Sequence, residues 1–281
     1  MNIKKILKRI YKFFRDLYWF IVFLNVQVHH RLEKKGCRTH QNIVAISEQS
    51  KNQLIYFYKI DEKCIKVIPD GIDLQKFNPS NYSKDIREKY GNNILLYTGL
   101  MIQRKKVPVL LKAMPHVIDE IPDVHLLLTG KGQFLTNYIK LSESLGIQKN
   151  VSFLGFVNDR DLLKYYATSD IYVFPSALEG FGQTLLEAMA SGTPVICANK
   201  PPMSEIIENG GLTFKLNNSK EFSEVIIDLL KNREKLRRLA ENGLKIVKKY
   251  EWSKVAEEYY QYCKKIVRSN YLKNKIKKNK F

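Results

Sequence analysis

One segment of the chain joins a glycine-rich loop to a helix start, and its residue types are suited to binding an anion. The apolar strand pattern of Ile171–Phe174 ends at Pro175, and the loop Glu179–Gly182 opens into a helix predicted near Thr184–Ala190. The first N–H groups of a helix have no partner inside it, so they form an anion site that faces the loop. The segment therefore predicts a site for a phosphate-bearing ligand.

Two glutamates flank this predicted site. Glu179 lies in the loop, and Glu187 lies about one turn into the helix, where it can reach the same cleft. Ionised carboxylates accept hydrogen bonds from sugar hydroxyls, so the pair around a phosphate site favours a nucleotide sugar as ligand. A glycoside hydrolase would also use paired carboxylates, held roughly 5–10 Å apart across the bond that is cleaved. Sequence spacing alone leaves that alternative open.

Three other predicted strand ends carry weaker signals for the same site. Gly99 follows a strand and permits a tight turn, after which Lys105 can pair with a phosphate. Gly130 lets a ligand approach the backbone closely, and the loop at Phe156 can offer backbone hydrogen bonds to a flat base. In an open parallel sheet such strand ends share the ligand-binding edge. Each of the three also fits an ordinary surface loop.

Short β-branched runs alternate with longer helical patterns from residue 42 onward. Strands are predicted at Ile43–Ile46, Ile65–Ile68, Ile94–Thr98, Val124–Thr129, Val151–Leu154, Ile171–Phe174 and Pro194–Ala198. Helices are predicted at Lys51–Tyr58, Val107–Asp119, Phe134–Leu145, Asp159–Thr168 and near Thr184–Ala190, and almost continuously from Ser219 to Val267. The polar residues 71–91 are predicted to be a linker. This alternation predicts an α/β fold with a doubly wound parallel sheet.

The Glu-x7-Glu motif from Glu179 to Glu187 is followed by Gly-x-Pro-Val at Gly192–Val195. These residues resemble the retaining glycosyltransferases of family 4, which have the two-domain GT-B fold. The similarity covers roughly residues 40–265. It includes a segment like the family's crossing into its donor domain (Val67–Asp73) and a closing helix from Trp252 onward.

The resemblance implies a role for each matching residue. Lys105 would bind the donor diphosphate, Glu187 the ribose hydroxyls, and Glu179 the sugar ring, as the catalytic candidate. Four backbone amides would hold sugar and phosphate, and two further positions would border the base: Phe181, Gly182, Gln183 and Thr184, then Gly130 and Phe156. No metal or other cofactor is implied, since the leaving diphosphate of a UDP- or GDP-sugar helps to deprotonate the acceptor. Leu100 replaces the family's usual arginine, and Arg104 or Lys106 would compensate.

The resemblance also implies a domain organisation. Residues 1–75 would be a remnant of the N-terminal acceptor domain with a basic amphipathic helix, residues 76–250 the Rossmann-like nucleotide-sugar-binding domain, and residues 251–281 the crossing helix with a basic tail. The acceptor domain would be largely missing. The chain would therefore be a glycosyltransferase acting on a lipid-linked or cell-surface glycan, as in polysaccharide or lipopolysaccharide synthesis. Alternatively, it would be a truncated or split-gene nucleotide-sugar-binding module that requires a partner chain.

Positive charge is concentrated at the two ends of the chain. The formal net charge is +19, with six basic residues and no acid in residues 1–15 and eight basic residues and no acid in residues 264–281. The aromatic run Leu17–Leu24 beside the first group favours an interfacial helix on an anionic membrane, although a buried helix would have the same pattern. No groove-reading motif accompanies the charge, so nucleic acid is not an expected partner. The four scattered cysteines indicate a reducing cytoplasm, with the protein peripheral on the inner membrane face.

Overall fold

The computed structural model describes residues 35, 36 and 42–278, with side chains through residue 268. The predicted membrane-surface helix at Leu17–Leu24 and the last residues of the basic tail lie outside the described residues. Across the part that is described, no helix is long and apolar enough to cross a membrane. The described residues divide into a smaller unit, residues 35, 36, 42–45 and 50–67, and a larger unit, residues 46–49 and 68–278.

The smaller unit contains a parallel pair of short strands. Strand β1 (Ile43–Ala45) pairs with β2 (Ile65–Val67), and each is one residue shorter than predicted. A small apolar cluster of Ala45, Ile60 and Ile65 is buried beside them. Helix α1 (Glu48–Tyr58) follows β1 and begins three residues before the predicted start at Lys51.

The larger unit contains one six-stranded parallel sheet, so the predicted fold class is confirmed. Its strands are β3 (Asn93–Thr98), β4 (Val124–Thr129), β5 (Val151–Gly155), β6 (Ile171–Phe174), β7 (Val195–Ala198) and β8 (Gly211–Phe214). Their order across the sheet is β5-β4-β3-β6-β7-β8. The order reverses between β3 and β6, and such a switch point is where an open α/β sheet binds ligands at the carboxyl ends of its strands.

Helices cover both faces of this sheet. They are α2 (Lys84–Tyr90), α3 (Val107–Glu120), α4 (Leu135–Ser144), α5 (Asp159–Thr168), α6 (Gln183–Ala190), α7 (Met203–Ile206), α8 (Ser219–Lys231), α9 (Arg233–Val247) and α10 (Trp252–Lys278). Helix α3 packs on α4 and α8, whereas α6 packs on α5 and α9. All six residues of β3 are buried, as its continuous apolar sequence predicts for a strand covered on both faces.

The prediction that residues 71–91 form a linker is wrong. Phe77 is buried in the main core, residues Pro79–Asn81 form a 3₁₀ turn, and Lys84–Tyr90 form α2, which packs on α5. The segment is polar because only one face of these short elements is covered. Ile86 and Tyr90 supply that apolar face on α2.

Strand β8 and helix α7 were not predicted from the sequence. Gly211 opens β8, and glycine ordinarily indicates a turn. Here glycine is needed because a Cβ at Gly211 would lie 2.6 Å from the side chain and the carbonyl oxygen of Val195 on β7. The almost continuous helical structure predicted from Ser219 onward is confirmed. It consists of three helices, which are separated at Asn232 and by a 3₁₀ turn at Lys248–Tyr250.

Two distant segments of the larger unit run side by side. The Ile72 N–H donates to the Tyr250 carbonyl at 2.7 Å, and the Trp252 N–H donates to the Ile72 carbonyl at 3.2 Å. Gly71 lies so near the Trp252 ring that a Cβ there would come within 2.4 Å of it. The start of α10 is thus fixed against the segment that leads into the sheet. The assignment of residues 1–75, 76–250 and 251–281 to functional domains stays a prediction.

Candidate functional site

Backbone hydrogen bonds join the loops at the carboxyl edge of the sheet. The Gly99 N–H donates to the Thr129 carbonyl at 3.2 Å, and the Gly130 N–H donates to the Gly155 carbonyl at 2.6 Å. The loops that follow β3, β4 and β5 therefore hold one another in place. This edge is a rigid platform for the side chains that sequence analysis assigned to a ligand site.

Lys105 and Glu179 form a buried ion pair across the switch point. Lys105 ends a 3₁₀ turn that follows β3, and its Nζ lies 2.6 Å from Glu179 Oε1. Arg104 lies 3.0 Å from Glu179 Oε2, and the Ser176 hydroxyl donates to Oε1. Two cations and one carboxylate leave this cluster with one net positive charge. It lies directly before the N-terminus of α6.

The cluster keeps Glu179 ionised. Burial raises the pKa of Glu179, but the hydrogen bonds from Lys105 and Ser176 outweigh burial and hold the pKa below its usual range. Burial lowers the pKa of Lys105 from its ordinary value of 10.5, and the hydrogen bond to the Glu179 carboxylate opposes that lowering. Since both oxygens of Glu179 are engaged by donors, this carboxylate is neither a proton donor nor a free nucleophile.

The N-terminus of α6 is presented without a side-chain cap. Gly182 precedes the helix with a φ of 135°, a conformation that glycine adopts readily. Phe181 is buried, and its ring lies 5.9 Å from the ring of Tyr250. The side-chain amide of Gln183 donates through Nε2 to the Gly71 carbonyl at 2.9 Å. Gln183 Oε1 is buried without a hydrogen-bond partner among the described residues. The loop is thus held by contacts on one side, while no described side chain caps the first backbone N–H groups of α6, which include that of Thr184.

Glu187 lies one turn further along α6 in a different environment. Its Oε2 accepts a hydrogen bond from the Tyr166 hydroxyl at 2.8 Å. Burial raises the pKa of Glu187, and the Tyr166 hydrogen bond only partly offsets this. The two glutamates of the motif therefore have pKa values shifted in opposite directions.

The other predicted site residues lie on neighbouring strand ends. Gly130 follows β4 and Phe156 follows β5, which is the edge strand beyond it. The Phe156 ring is 70% exposed, and Lys131 Nζ lies 5.3 Å from its centroid. Gly130 and Phe156 border the same edge of the sheet as the charged cluster. Neither makes a hydrogen bond to Glu179 within the described part of the chain.

Sequence analysis missed three contributors to the site. Ser176 binds Glu179, Tyr166 binds Glu187, and Arg104, named only as a substitute for the arginine expected at Leu100, binds Glu179. Leu100 itself is 54% exposed. Ser176 follows β6 directly, which was a usable signal. Tyr166 gave none, since a tyrosine on the inner face of a helix usually indicates core.

Glu187→Gln is expected to stabilise the protein near neutral pH. The pKa of Glu187 is raised in the folded state, so folding favours its protonated form, and its destabilising effect grows as pH rises above the ordinary value of 4.5. The neutral amide removes this effect and can still accept from Tyr166. Thermal melting of both proteins between pH 4 and 8 should show a gain that shrinks toward low pH. A gain that does not depend on pH would contradict the buried-charge explanation.

The doubly wound parallel sheet matches the Rossmann-like domains of GT-B glycosyltransferases in fold. The family model described as "Glycosyl transferases group 1" matches residues 80–246, and the chain belongs to this family.

Three relatives show the extent of the similarity. The spore coat protein SA of Bacillus subtilis (strain 168) is 32% identical over 235 residues, which cover 76% of this chain and 62% of that protein. A glycosyltransferase from Rickettsia africae ESF-5 superposes with a TM-score of 0.73 at 25% identity, covering 83% of this chain and 66% of that chain. Anabaena Alr3699/HepE in complex with UDP gives a TM-score of 0.77 at 23% identity, covering 85% and 68%. The chain spans less than two thirds of the Bacillus protein.

Proposed function

We propose that this chain binds a nucleoside diphosphate sugar at the N-terminus of α6 and transfers the sugar, with retention, to a lipid-linked or cell-surface glycan. The observation that carries the proposal is the buried Lys105–Glu179 pair with Arg104, which leaves net positive charge beside an uncapped helix start. Both features attract a diphosphate.

The same groups suit the departure of the diphosphate. Charge grows on the leaving oxygens as the bond to the sugar breaks, and fixed N–H groups and cations stabilise that charge without rearranging. Lys105 is preorganised for this, because its position is set before any ligand arrives. The proposed reaction therefore needs no metal. The ionised carboxylate of Glu179 would accept a hydrogen bond from a hydroxyl of the sugar ring and so fix the orientation of the ring.

The nucleoside would extend from the diphosphate toward β4 and β5. Glu187 would accept from the ribose hydroxyls, and the base would lie beside Gly130 and the exposed ring of Phe156. The Anabaena protein with a similar fold was crystallised with UDP and with UDP-glucose, which supports a UDP-sugar as the first ligand to test. A GDP-sugar is the second.

The proposed acceptor and location depend on the chain ends. Basic residues cluster in residues 1–15 and 264–281, and such clusters favour the anionic inner face of a cell membrane. A lipid-linked acceptor would be reached from that surface. The protein would then be cytoplasmic and peripheral to the membrane.

Calorimetric titration with UDP, GDP, UDP-glucose and GDP-mannose, together with release of free nucleotide, tests the proposal. We expect one nucleotide class to bind, and Glu187→Ala to weaken that binding at least about tenfold, since hydrogen bonds to a charged group are among the stronger ones. Glu234→Ala on the exposed face of α9 is the matched control and should bind like the unaltered protein.

The outcomes separate the two interpretations of the chain. Binding together with sugar transfer or hydrolysis supports an enzyme that works alone. Binding without either supports a donor-binding module that requires a partner chain for the acceptor. If none of the four ligands binds, both interpretations fail.

A further inference from the structure

A chain of buried hydroxyl groups lies behind Glu187. The Tyr166 hydroxyl, on α5, lies 2.8 Å from Glu187 Oε2 and 2.7 Å from the Thr98 hydroxyl at the end of β3. The Thr98 hydroxyl in turn lies 2.9 Å from the Tyr172 hydroxyl on β6. Both tyrosines are completely buried, and Thr98 is 4% exposed. The chain therefore joins α5, β3 and β6 beneath the switch point.

The Glu187 carboxylate, at one end of this chain of hydroxyl groups, fixes the direction of every hydrogen bond in it. An ionised carboxylate can only accept, so the Tyr166 hydroxyl must donate to Glu187. The Tyr166 oxygen must then accept the Thr98 proton, because a hydroxyl has one proton to give. Tyr172 is left to donate to Thr98, either to its hydroxyl or to its carbonyl at 3.3 Å.

The charged and titratable groups that face Glu187 come from several elements. Tyr166 lies on α5 and Asp159 at the start of α5; Lys76 comes from the segment before the Pro79–Asn81 turn, and Tyr172 comes from β6. Lys76 and Asp159 form their own ion pair at 3.0 Å and largely offset each other. Among these groups, only Tyr166 makes a hydrogen bond to the carboxylate in the described structure.

We propose that Tyr166 is a positioning residue of the donor site, which holds the Glu187 carboxylate in place through a one-way chain of hydroxyl hydrogen bonds running from Tyr172 through Thr98. This proposal rests on the proposed role of Glu187 toward the ribose. One oxygen of Glu187 is committed to Tyr166, so the other oxygen is directed to ligand hydroxyls. The hydrogen bond from Tyr166 also lowers the pKa of Glu187 and so opposes part of the effect of burial.

Tyr166→Phe tests this proposal by two measurements. The hydrogen bond from Tyr166 lowers the pKa of Glu187, so its loss should raise that pKa further, seen by ¹³C NMR titration of the Glu187 carboxyl and assigned with Glu187→Gln. Affinity for the nucleotide that binds the unaltered protein should fall about tenfold at neutral pH. The loss should grow as pH is lowered, because more of Glu187 becomes protonated in the variant.

Two further variants keep the test interpretable. Tyr165→Phe removes a hydroxyl from the residue directly before Tyr166 on α5, whose side chain faces Tyr90. It should change neither the Glu187 pKa nor the nucleotide affinity. Thr98→Val removes the middle link, retains Tyr166, and should raise the Glu187 pKa by a smaller amount. It replaces Tyr166→Phe if that variant fails to fold.

The outcomes also distinguish this proposal from the proposed function. If the unaltered protein binds no nucleotide, the proposed function fails, while the NMR titration still tests the hydroxyl chain. An unchanged Glu187 pKa in both Tyr166→Phe and Thr98→Val would overturn the positioning role even if nucleotide binds. An unchanged affinity with a raised pKa would overturn the link between Tyr166 and ribose binding.

Discussion

Lys105→Met and Glu179→Gln should each destabilise the protein by about 3 kcal/mol, and the double variant should recover most of that loss. Each side chain of the pair is only 11% exposed, so a single change leaves its partner's charge buried without its closest counterion. The double variant removes both charges and retains similar shapes. Urea unfolding measures stability, and calorimetric titration should show that nucleotide binding is lost in the two variants that lack Lys105.

A matched surface pair shows whether burial is the cause. Lys84 and Glu88 on α2 are 82% and 63% exposed, and Lys84→Met with Glu88→Gln should change stability by about 0.5 kcal/mol or less, singly or together. The buried-pair explanation fails if the effects of Lys105→Met and Glu179→Gln simply add in the double variant. Retained nucleotide binding in the stable double variant would contradict the phosphate-binding role of Lys105.

Gly130→Ala should destabilise the protein by about 3 kcal/mol or more, or prevent its accumulation. Gly130 has a φ of 121°, and a Cβ there would lie 2.0 Å from the Gly99 carbonyl oxygen. That oxygen belongs to the backbone of the adjoining loop, so relief requires the β3 and β4 loops to separate. Thermal melting and urea unfolding measure the loss.

Gly155→Ala, one strand away, is the control for backbone conformation alone. Gly155 also has a positive φ, 65°, but a Cβ there would meet nothing within 4 Å. The expected cost is about 1 kcal/mol, the ordinary penalty for a left-handed residue other than glycine. If the two alanine variants proved equally stable, the loops would not be locked together as described.

The strongest sequence patterns predicted their elements to the residue. β4, α5 and β6 begin and end at the residues that their apolar and helical patterns predict. Elements whose sequence serves a tertiary contact could not be predicted. β8 begins at a glycine because β7 leaves no room for a side chain, and α2 is polar because only its Ile86 and Tyr90 pack against the core as apolar residues.

The site shows the same division between local and tertiary information. Glycine-rich strand ends and the Glu179-to-Glu187 spacing are local features, so those residues could be named from the sequence. The ion pair of Lys105 with Glu179 joins residues 74 positions apart, and its existence depends on β3 lying beside β6. The hydroxyl chain behind Glu187 depends on the same strand order and left no sequence signal.

The pairing of β3 with β6 also has a consequence for synthesis of the chain. A nascent chain that has emerged only through α5 contains β3, β4 and β5, with Lys105 exposed and its counterion not yet made. The inner edge of β3 then carries unpaired backbone groups, a surface that can join another nascent chain. Emergence of β6 covers that edge and delivers Glu179 in one step. Pairing of the inner edge of β3 and neutralisation of the buried cation are therefore coupled during synthesis, because both depend on residues 171–179.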